Sequence, residues 1–421
     1  MIDIDKWDWQ KGKKIITDVG KIQSHNKSVH ELTVSPDGEK IGLLVVTEEG
    51  EYTAFTNEDR WKESFELAWH LRFAPGGKLT VLGRIDDEWT LAVDDKPWES
   101  RFEYLWNPRF ASDSNAISLL FKRENQYGVI IDDQPWENTF LGIRDYCLSP
   151  DGKRAAATVQ IKSLKEADIF GFRDGVWSVA IDGKAWDEKY INAWNPIIGS
   201  DCNSVAAEVR TDICEYSIAV NGKTWPGKFG SVWTPLFANN GSSVIAPVKC
   251  GGGWTIAKDG QLAWKRNYSQ LWLQCFSPDG KRIAAVCSPE FGKWTVVVDD
   301  IPWKKLFTDM VQAPIFSPDS NRVAAIVKSN NRWTIAVDSN IWDEDFDMIW
   351  DPVFSPCGRH IITKAREGDK YVIVTNGQTM RRGFDNLWEP AFSPDGKYVL
   401  LRYVIDNKYC REVVPIGEMI G

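Results

Sequence analysis

The stretch WTIAVDSNIWDEDFDMIWDPVFSP, residues 333–356, holds Trp333, Trp342 and Trp350 within eighteen positions. Tryptophan can stack a ligand, relay an electron or fill a core, and its spacing decides among these uses. The closing Ser-Pro sets that spacing. SPDG stands at 35, 149, 277 and 393, SPDS at 317 and SPCG at 355, with degenerate copies at 74 (APGG), 111 (ASDS), 199 (GSDC) and 238 (ANNG). Successive anchors lie 39, 37, 38, 50, 39, 39, 40, 38 and 38 residues apart, and a period near 39 is the length of one four-stranded repeat unit.

The tryptophans keep register with these anchors. Trp61, Trp98, Trp136, Trp186, Trp225, Trp264, Trp303 and Trp342 stand thirteen or fourteen residues ahead of an anchor, with Ile22 and Met380 completing the column. Trp69, Trp106, Trp194, Trp233, Trp272, Trp350 and Trp388 stand five ahead, where His30, Arg144 and Gln312 are the exceptions. A third column, Tyr52, Trp89, Tyr127, Trp177, Tyr216, Trp254, Trp294, Trp333, Tyr371 and Tyr409, follows each anchor. Of the 22 tryptophans only Trp7 and Trp9 fall outside the three columns.

Each unit reads as four short strands. PVFSP-like segments form the first and RVAAIVK-like segments, small and β-branched, form a second suited to burial on both faces. WTIAVD-like segments alternate and form the third, and Asp-Gly, Asn-Gly or Asp-Asp pairs at 94, 132, 182, 221, 299 and 376 turn the chain tightly into a fourth. One such sheet alone leaves both faces wet, so the sheets must stack around an axis, with flat indole rings filling the wedges between them. The expected fold is all-β, a single β-propeller domain over residues 1–421 built as one ring of ten blades. Two five-bladed rings are the alternative. The last repeat lacks a fourth strand, and residues 13–28 are expected to supply it by pairing with residues 390–414, with 21–26 as the pairing segment.

With 59 acidic and 50 basic residues the net charge is −9, which offers no field for a nucleic-acid backbone. The opening MIDIDKWDWQKGKK has no apolar core of a signal peptide, and no run of eighteen apolar residues occurs, so a cytoplasmic protein without a membrane span is expected. Eight scattered cysteines without a CxxC pair read as reduced, mostly buried thiols. His25, His30, His70 and His360 are the only histidines, and none stands at metal-ligand spacing from a cysteine or carboxylate. No P-loop, GxSxG or dinucleotide fingerprint is present, and the paired aspartates read as turns that give an acidic rim. Neither a catalytic residue, a metal site nor a cofactor is expected.

The recurring FSPDGK followed by a β-branched strand resembles the WD40-like, TolB-type propeller repeat over residues 29–414, although the Gly-His and Trp-Asp dipeptides of WD40 repeats do not recur. The tryptophan-rich repeats, the chain length and the lack of a cofactor motif resemble the TmcD family, the Trp-rich subunits of the Tmc transmembrane electron-transfer complexes of sulfate-reducing bacteria. That resemblance implies a cofactor-free scaffold at the cytoplasmic side of the membrane, with haem and iron–sulfur proteins as partners. The alternative is a propeller enzyme or a small-ligand sensor binding in the central channel, for which the inner strands look too apolar.

The repeat breaks most clearly in the fourth unit. From anchor to third-column aromatic the distance is 15 to 17 residues in nine units, but Ser149 to Trp177 spans 28, which leaves 161–175 as an insertion between second and third strands. Arg144 replaces tryptophan in the same unit. Arg144, Leu164, Ile169, Phe170 and Phe172 are therefore the expected partner contacts, an apolar patch with a cation beside it.

Overall fold

The structure, a computed structural model, describes residues 4–419 except Ala167, Asn239, Asn240, Ser242 and Arg381. It contains ten antiparallel four-stranded sheets, one per repeat, arranged as a ten-bladed propeller. In blade 2 the strands Leu67–Phe73, Leu79–Ile85, Glu88–Val93 and Lys96–Pro97 are hydrogen-bonded in chain order, and the other blades follow the same plan. Second strands such as Ile41–Val46 and Ile117–Arg123 begin with five consecutive buried residues. The expected alternation of the third strand does not appear: Arg332–Val337 is buried from Thr334 onward, because both of its faces meet another blade. In blades 6, 8, 9 and 10 the first strand is split into two dipeptides around a proline (Pro235, Pro314, Pro352, Pro390), whereas Pro108 and Pro196 at the same position lie within continuous, bulged first strands of blades 3 and 5.

The anchor is a closed hydrogen-bond device. The Ser149 hydroxyl donates to Asp151 at 2.6 Å and accepts from the Arg154 backbone N–H at 3.0 Å, and Ser277, Ser393 and their turns repeat this. At the hairpin into the fourth strand, Asp94 and Asp95 or Asp132 and Asp133 both take positive φ, the conformation that Asp and Asn tolerate best. The first of the pair also accepts from the opening N–H of the second strand, as in Leu79 to Asp94 and Ile117 to Asp132. The turn chemistry thus locks three strands of one blade together.

One ring, not two, follows from where the blades touch. Each junction between consecutive blades has its own apolar cluster. Ile218 of blade 5 packs with Val232 and Phe237 of blade 6, where a pair of five-bladed rings would break. Val404 and Tyr409 of blade 10 pack with Ile41 and Leu43 of blade 1. The remaining eight junctions are filled in the same way. First strands of neighbouring blades lie against one another, as blade 1 against blade 2 and blade 4 against blade 5, so they form the inner wall of the ring.

Gly12–Asp18 forms the fourth strand of blade 10, antiparallel to Lys408–Pro415, with Gly12 opposite Val413 and Asp18 opposite Lys408. The pairing segment lies earlier than residues 21–26. Val19–Ser24 is instead a short helix, capped by Asp18 and held where the Val19 N–H donates to the Asn407 carbonyl. A helix fits there because the chain must leave the outer edge of blade 10 and cross to the inner wall to begin blade 1. Ile22, in the tryptophan register, is buried against Val404 and Tyr409.

Three side chains of blade 10 reach into the first anchor loop. Arg402 Nη1 donates to the carbonyls of Ser35 (3.1 Å) and Pro36 (2.9 Å), the Tyr409 hydroxyl donates to that of Gly38 (2.9 Å), and Arg411 Nε donates to that of Asp37 (2.8 Å). The seam is therefore polar as well as apolar.

Candidate functional site

The aromatic columns have two different tasks. Trp61, Trp136, Trp225 and Trp264 are buried, while Trp98, Trp186, Trp303 and Trp342 are partly buried. Trp136 packs on Gly183 of the next blade's hairpin, Trp186 on Gly222 and Trp342 on Gly377, so this outer column wedges adjacent sheets apart. The second and third columns pair with each other inside one blade: Trp69 with Trp89 (ring centroids 4.1 Å apart), Trp233 with Trp254 (5.4 Å) and Trp272 with Trp294 (4.8 Å). Their inner members are only half buried and border the inner wall.

The aspartate pairs are consumed by structure. Asp95 accepts from the backbone N–H groups of Lys62 and Glu63 in the preceding blade, and Asp133 and Asp300 do the same for 99–100 and 265–266. These carboxylates staple blade to blade while staying at the solvent-facing corner of each blade. An aspartate in the second turn position, where other blades place glycine, is the residue that supplies this carboxylate.

The inner wall is more polar than its PVF and PIF segments suggested, because the first strand bulges just after the tryptophan and turns polar side chains inward. Glu31 accepts from the N–H groups of His70 (2.9 Å) and Leu71 (3.0 Å) and pairs with Arg72 (3.2 Å). Glu208 is buried and accepts from the Asn195 amide at 2.7 Å; burial pushes its carboxyl above the ordinary carboxylate value, against that hydrogen bond. Lys364, equally enclosed, pairs with Glu389 at 2.9 Å and lies 4.6 Å from the Trp350 ring centroid. Among the described residues no group of three or more His, Cys, Asp or Glu side chains could hold a metal ion.

Arg144 and the blade 4 insertion come together at Trp177, the first residue of the strand that follows the insertion. Arg144 lies 4.2 Å from the Trp177 ring centroid and 5.6 Å from that of Trp194, and its guanidinium donates to Asn192. It fills the place of the missing indole and belongs to the wall between blades 4 and 5. The insertion folds into a helix, Ile169–Asp174, capped by Asp168, whose carboxylate accepts from the Gly171 N–H at 2.7 Å. Lys162 and Lys189 pair with Asp174, and Arg173 reaches Asp212 of blade 5 at 3.3 Å. Leu164 and Phe172 are partly buried beneath it, while Ile169 and Phe170 remain 72% and 89% exposed.

Strand direction places all second-to-third loops on one face of the ring. Ile213 of blade 5 (53% exposed) and Phe291 of blade 7 (97%) project from the same face as Ile169 and Phe170. Both sit at tips of two-stranded hairpins, where nothing in their own blade can cover them. The sequence pattern did not single them out, because a lone Ile or Phe in a loop carries no periodicity.

The cysteines differ from expectation: all eight are free, but only Cys287 and Cys410 are buried, and Cys214, Cys250 and Cys357 are exposed. Cys214 lies in a loop and Cys357 in an anchor, while Cys250 ends the second strand of blade 6, past its buried stretch. Cys357 replaces aspartate in its anchor and inherits that carboxylate's donors. The Ser355 hydroxyl lies 3.4 Å from its sulfur, and this contact, then the Arg359 backbone N–H, stabilises the thiolate and lowers the thiol to about 7. Alkylation of Cys357 by iodoacetamide, followed on its tryptic peptide, should reach half its limiting rate near pH 7. Ser355→Ala should move that midpoint upward, and a midpoint equal in both proteins would contradict the assignment.

No family model matches the chain, and no curated protein matches it in sequence. Among solved structures, a crystal structure of the eukaryotic initiation factor aligns over 85% of this chain and 88% of its own, at 15% identity and a TM-score of 0.46. A structure assigned as TolB from Agrobacterium tumefaciens aligns over 56% of this chain and 94% of its own, at 12% identity and a TM-score of 0.29.

Proposed function

We propose that this chain is a non-catalytic interaction scaffold that docks a protein partner on the face formed by its second-to-third loops. The observation that carries this reading is the insertion of blade 4. It departs from a strict repeat, spends its own ion pairs on fixing a short helix, and uses that helix to hold Ile169 and Phe170 in solvent. Large apolar side chains held this way are the usual centre of a protein interface. Ile213 and Phe291 extend the same face over blades 5 and 7.

The resemblance to Trp-rich Tmc subunits supports a narrower reading, in which the partners are haem and iron–sulfur subunits of an electron-transfer complex at the cytoplasmic side of a membrane. No helix among the described residues is long and apolar enough to cross a membrane, and in this reading attachment runs through the partners. The chain itself would carry no cofactor.

The test is isolation of the native protein under mild conditions, with identification of the co-purifying chains and an absorption spectrum. Haem and iron–sulfur subunits are expected with the unaltered protein. An Ile169→Asp, Phe170→Asp double variant should lose the partner at least about tenfold, since each buried side chain of this size contributes about 1.5–3 kcal/mol. Its unfolding midpoint should not change. A partner retained at full yield by the variant would remove this face from the account.

A further inference from the structure

We propose that the inner wall between blades 6 and 7 is a binding site for a small, neutral aromatic molecule. This site is independent of the docking face and uses none of its residues. A cleft of about 630 Å³ opens there between Trp233 and Leu236 of blade 6 and Trp272 and Leu273 of blade 7. That volume suits a small organic ligand rather than a helix or a strand of a partner.

The walls are aromatic and stiff. Trp233 lies nearly parallel to Trp254, with an interplanar angle of 13°, so one face of its ring is backed by another indole while the side chain stays 43% exposed. Trp272 is backed in turn by Trp294. A planar ring entering the cleft meets surfaces that do not need to be ordered first, which lowers the entropic cost of binding.

Leu273 is the residue that packing alone does not explain. It has φ of 55° and is 45% exposed. At the same bulge the three other blades that take a positive φ place His70, Asn107 and Asn195, polar residues that suit solvent, two of them asparagines that tolerate this backbone region. A leucine there bears both a strained backbone and an apolar side chain in water. A ligand that covers it removes the second of these penalties, and strain of this kind concentrates where a chain binds something.

The chemistry of the lining sets the ligand class. Where blade 1 places Glu31 against blade 2, blade 6 places Thr234, and none of the residues lining the cleft is charged. A charged ligand would lose its hydration without a partner. The Thr234 hydroxyl is bonded to the Glu208 carboxylate, so the polar side chain that remains for a ligand is the Gln274 amide. Its Nε2 donates one N–H to the Thr234 carbonyl at 2.6 Å, which leaves the second N–H to donate and the amide oxygen to accept. The ligand is therefore flat and uncharged, with a polar N–H or O–H to meet the amide oxygen.

Titration of the full chain with N-phenyl-1-naphthylamine, a neutral two-ring amine whose fluorescence rises on burial, tests the site. Saturable binding at one equivalent is expected. Leu273→Asn keeps the side-chain size, suits the positive φ and should weaken binding about tenfold or more while the unfolding midpoint stays level or rises. Phe291→Ser, an exposed aromatic removed from the other face, should leave binding unchanged. The anion 1-naphthoate should bind at least about tenfold more weakly than the neutral probe. Absence of saturable binding, equal affinity in Leu273→Asn, weakening by Phe291→Ser to the same degree, or equal affinity for the anion would each overturn the assignment.

Discussion

Deleting residues 1–18 is expected to abolish the folded ring under conditions where the whole chain is stable. The deletion strips Gly12–Asp18 from blade 10 and leaves Lys408–Pro415 as an open edge, although that strand is otherwise buried on most of its length. It also removes the Asp8 carbonyl, which accepts from Arg411, and Lys14, which pairs with Glu39 of the first anchor loop at 3.4 Å. A blade that lacks its outer strand cannot hold its seam with blade 1, and in a ring one open seam exposes two blade faces. The cost is comparable to the whole net stability of a domain, about 5–15 kcal/mol. Guanidinium unfolding and size-exclusion chromatography should show a chain that is unfolded or associated through its bare edge. A synthetic peptide of residues 8–26 should restore a monomer. A deleted chain with an unaltered midpoint would show that the ring does not depend on this strand.

The second large effect is expected from Arg411→Met. Arg411 is 1% exposed, and its guanidinium lies in a cage of acceptors: the Asp37 carbonyl at 2.8 Å, Glu39 Oε1 at 3.0 Å and the Asp8 carbonyl. Three segments meet on this one side chain: the amino-terminal strap, the first anchor loop and the third strand of the last blade. Methionine fills much of the volume but removes this donor from both carbonyls and leaves Glu39 Oε1 with the longer contact to Lys14 at 3.4 Å. Removing one member of such a buried arrangement costs about 3–5 kcal/mol. Arg411→Lys should recover only part of this, because one ammonium cannot span the fork of directions that the guanidinium serves. Lys153→Met is the control: Lys153 is exposed beside its anchor, and its loss should stay within about 0.5 kcal/mol. Urea or guanidinium melts of the three variants decide the matter, and an Arg411→Met protein as stable as the control would mean that the seam is held by apolar packing alone.

The blade architecture was readable because two chemistries with fixed requirements recur. The Ser-Pro-Asp-Gly anchor closes a specific hydrogen-bonded turn, and the Asp-Gly or Asp-Asp hairpin needs residues that accept positive φ, so both leave strong marks at a period near 39. The tryptophan columns added phase. What stayed hidden was everything that depends on which neighbour a residue meets. Asp95 and Asp133 read as turn residues, yet they also bind the preceding blade, and no pattern within one repeat could report that contact. The closing segment was placed about one strand too late, because Ile22 sits in the tryptophan register while the chain around it is helical. Arg144 was read beside the insertion because both break the same repeat; its stacking on Trp177, two residues past the insertion, and on Trp194 was not readable from either break. The bulge that makes the inner wall polar was likewise invisible, since a one-residue backbone change decides which side chains face inward.

Electron cryo-microscopy of the native assembly tests the central claim most directly. The account predicts a ten-bladed ring carrying no bound cofactor, with a protein partner seated over the second-to-third loops and Phe170 covered at the contact. A ring of another blade number, or a partner seated on the anchor-loop face with Ile169 and Phe170 left in solvent, would contradict it.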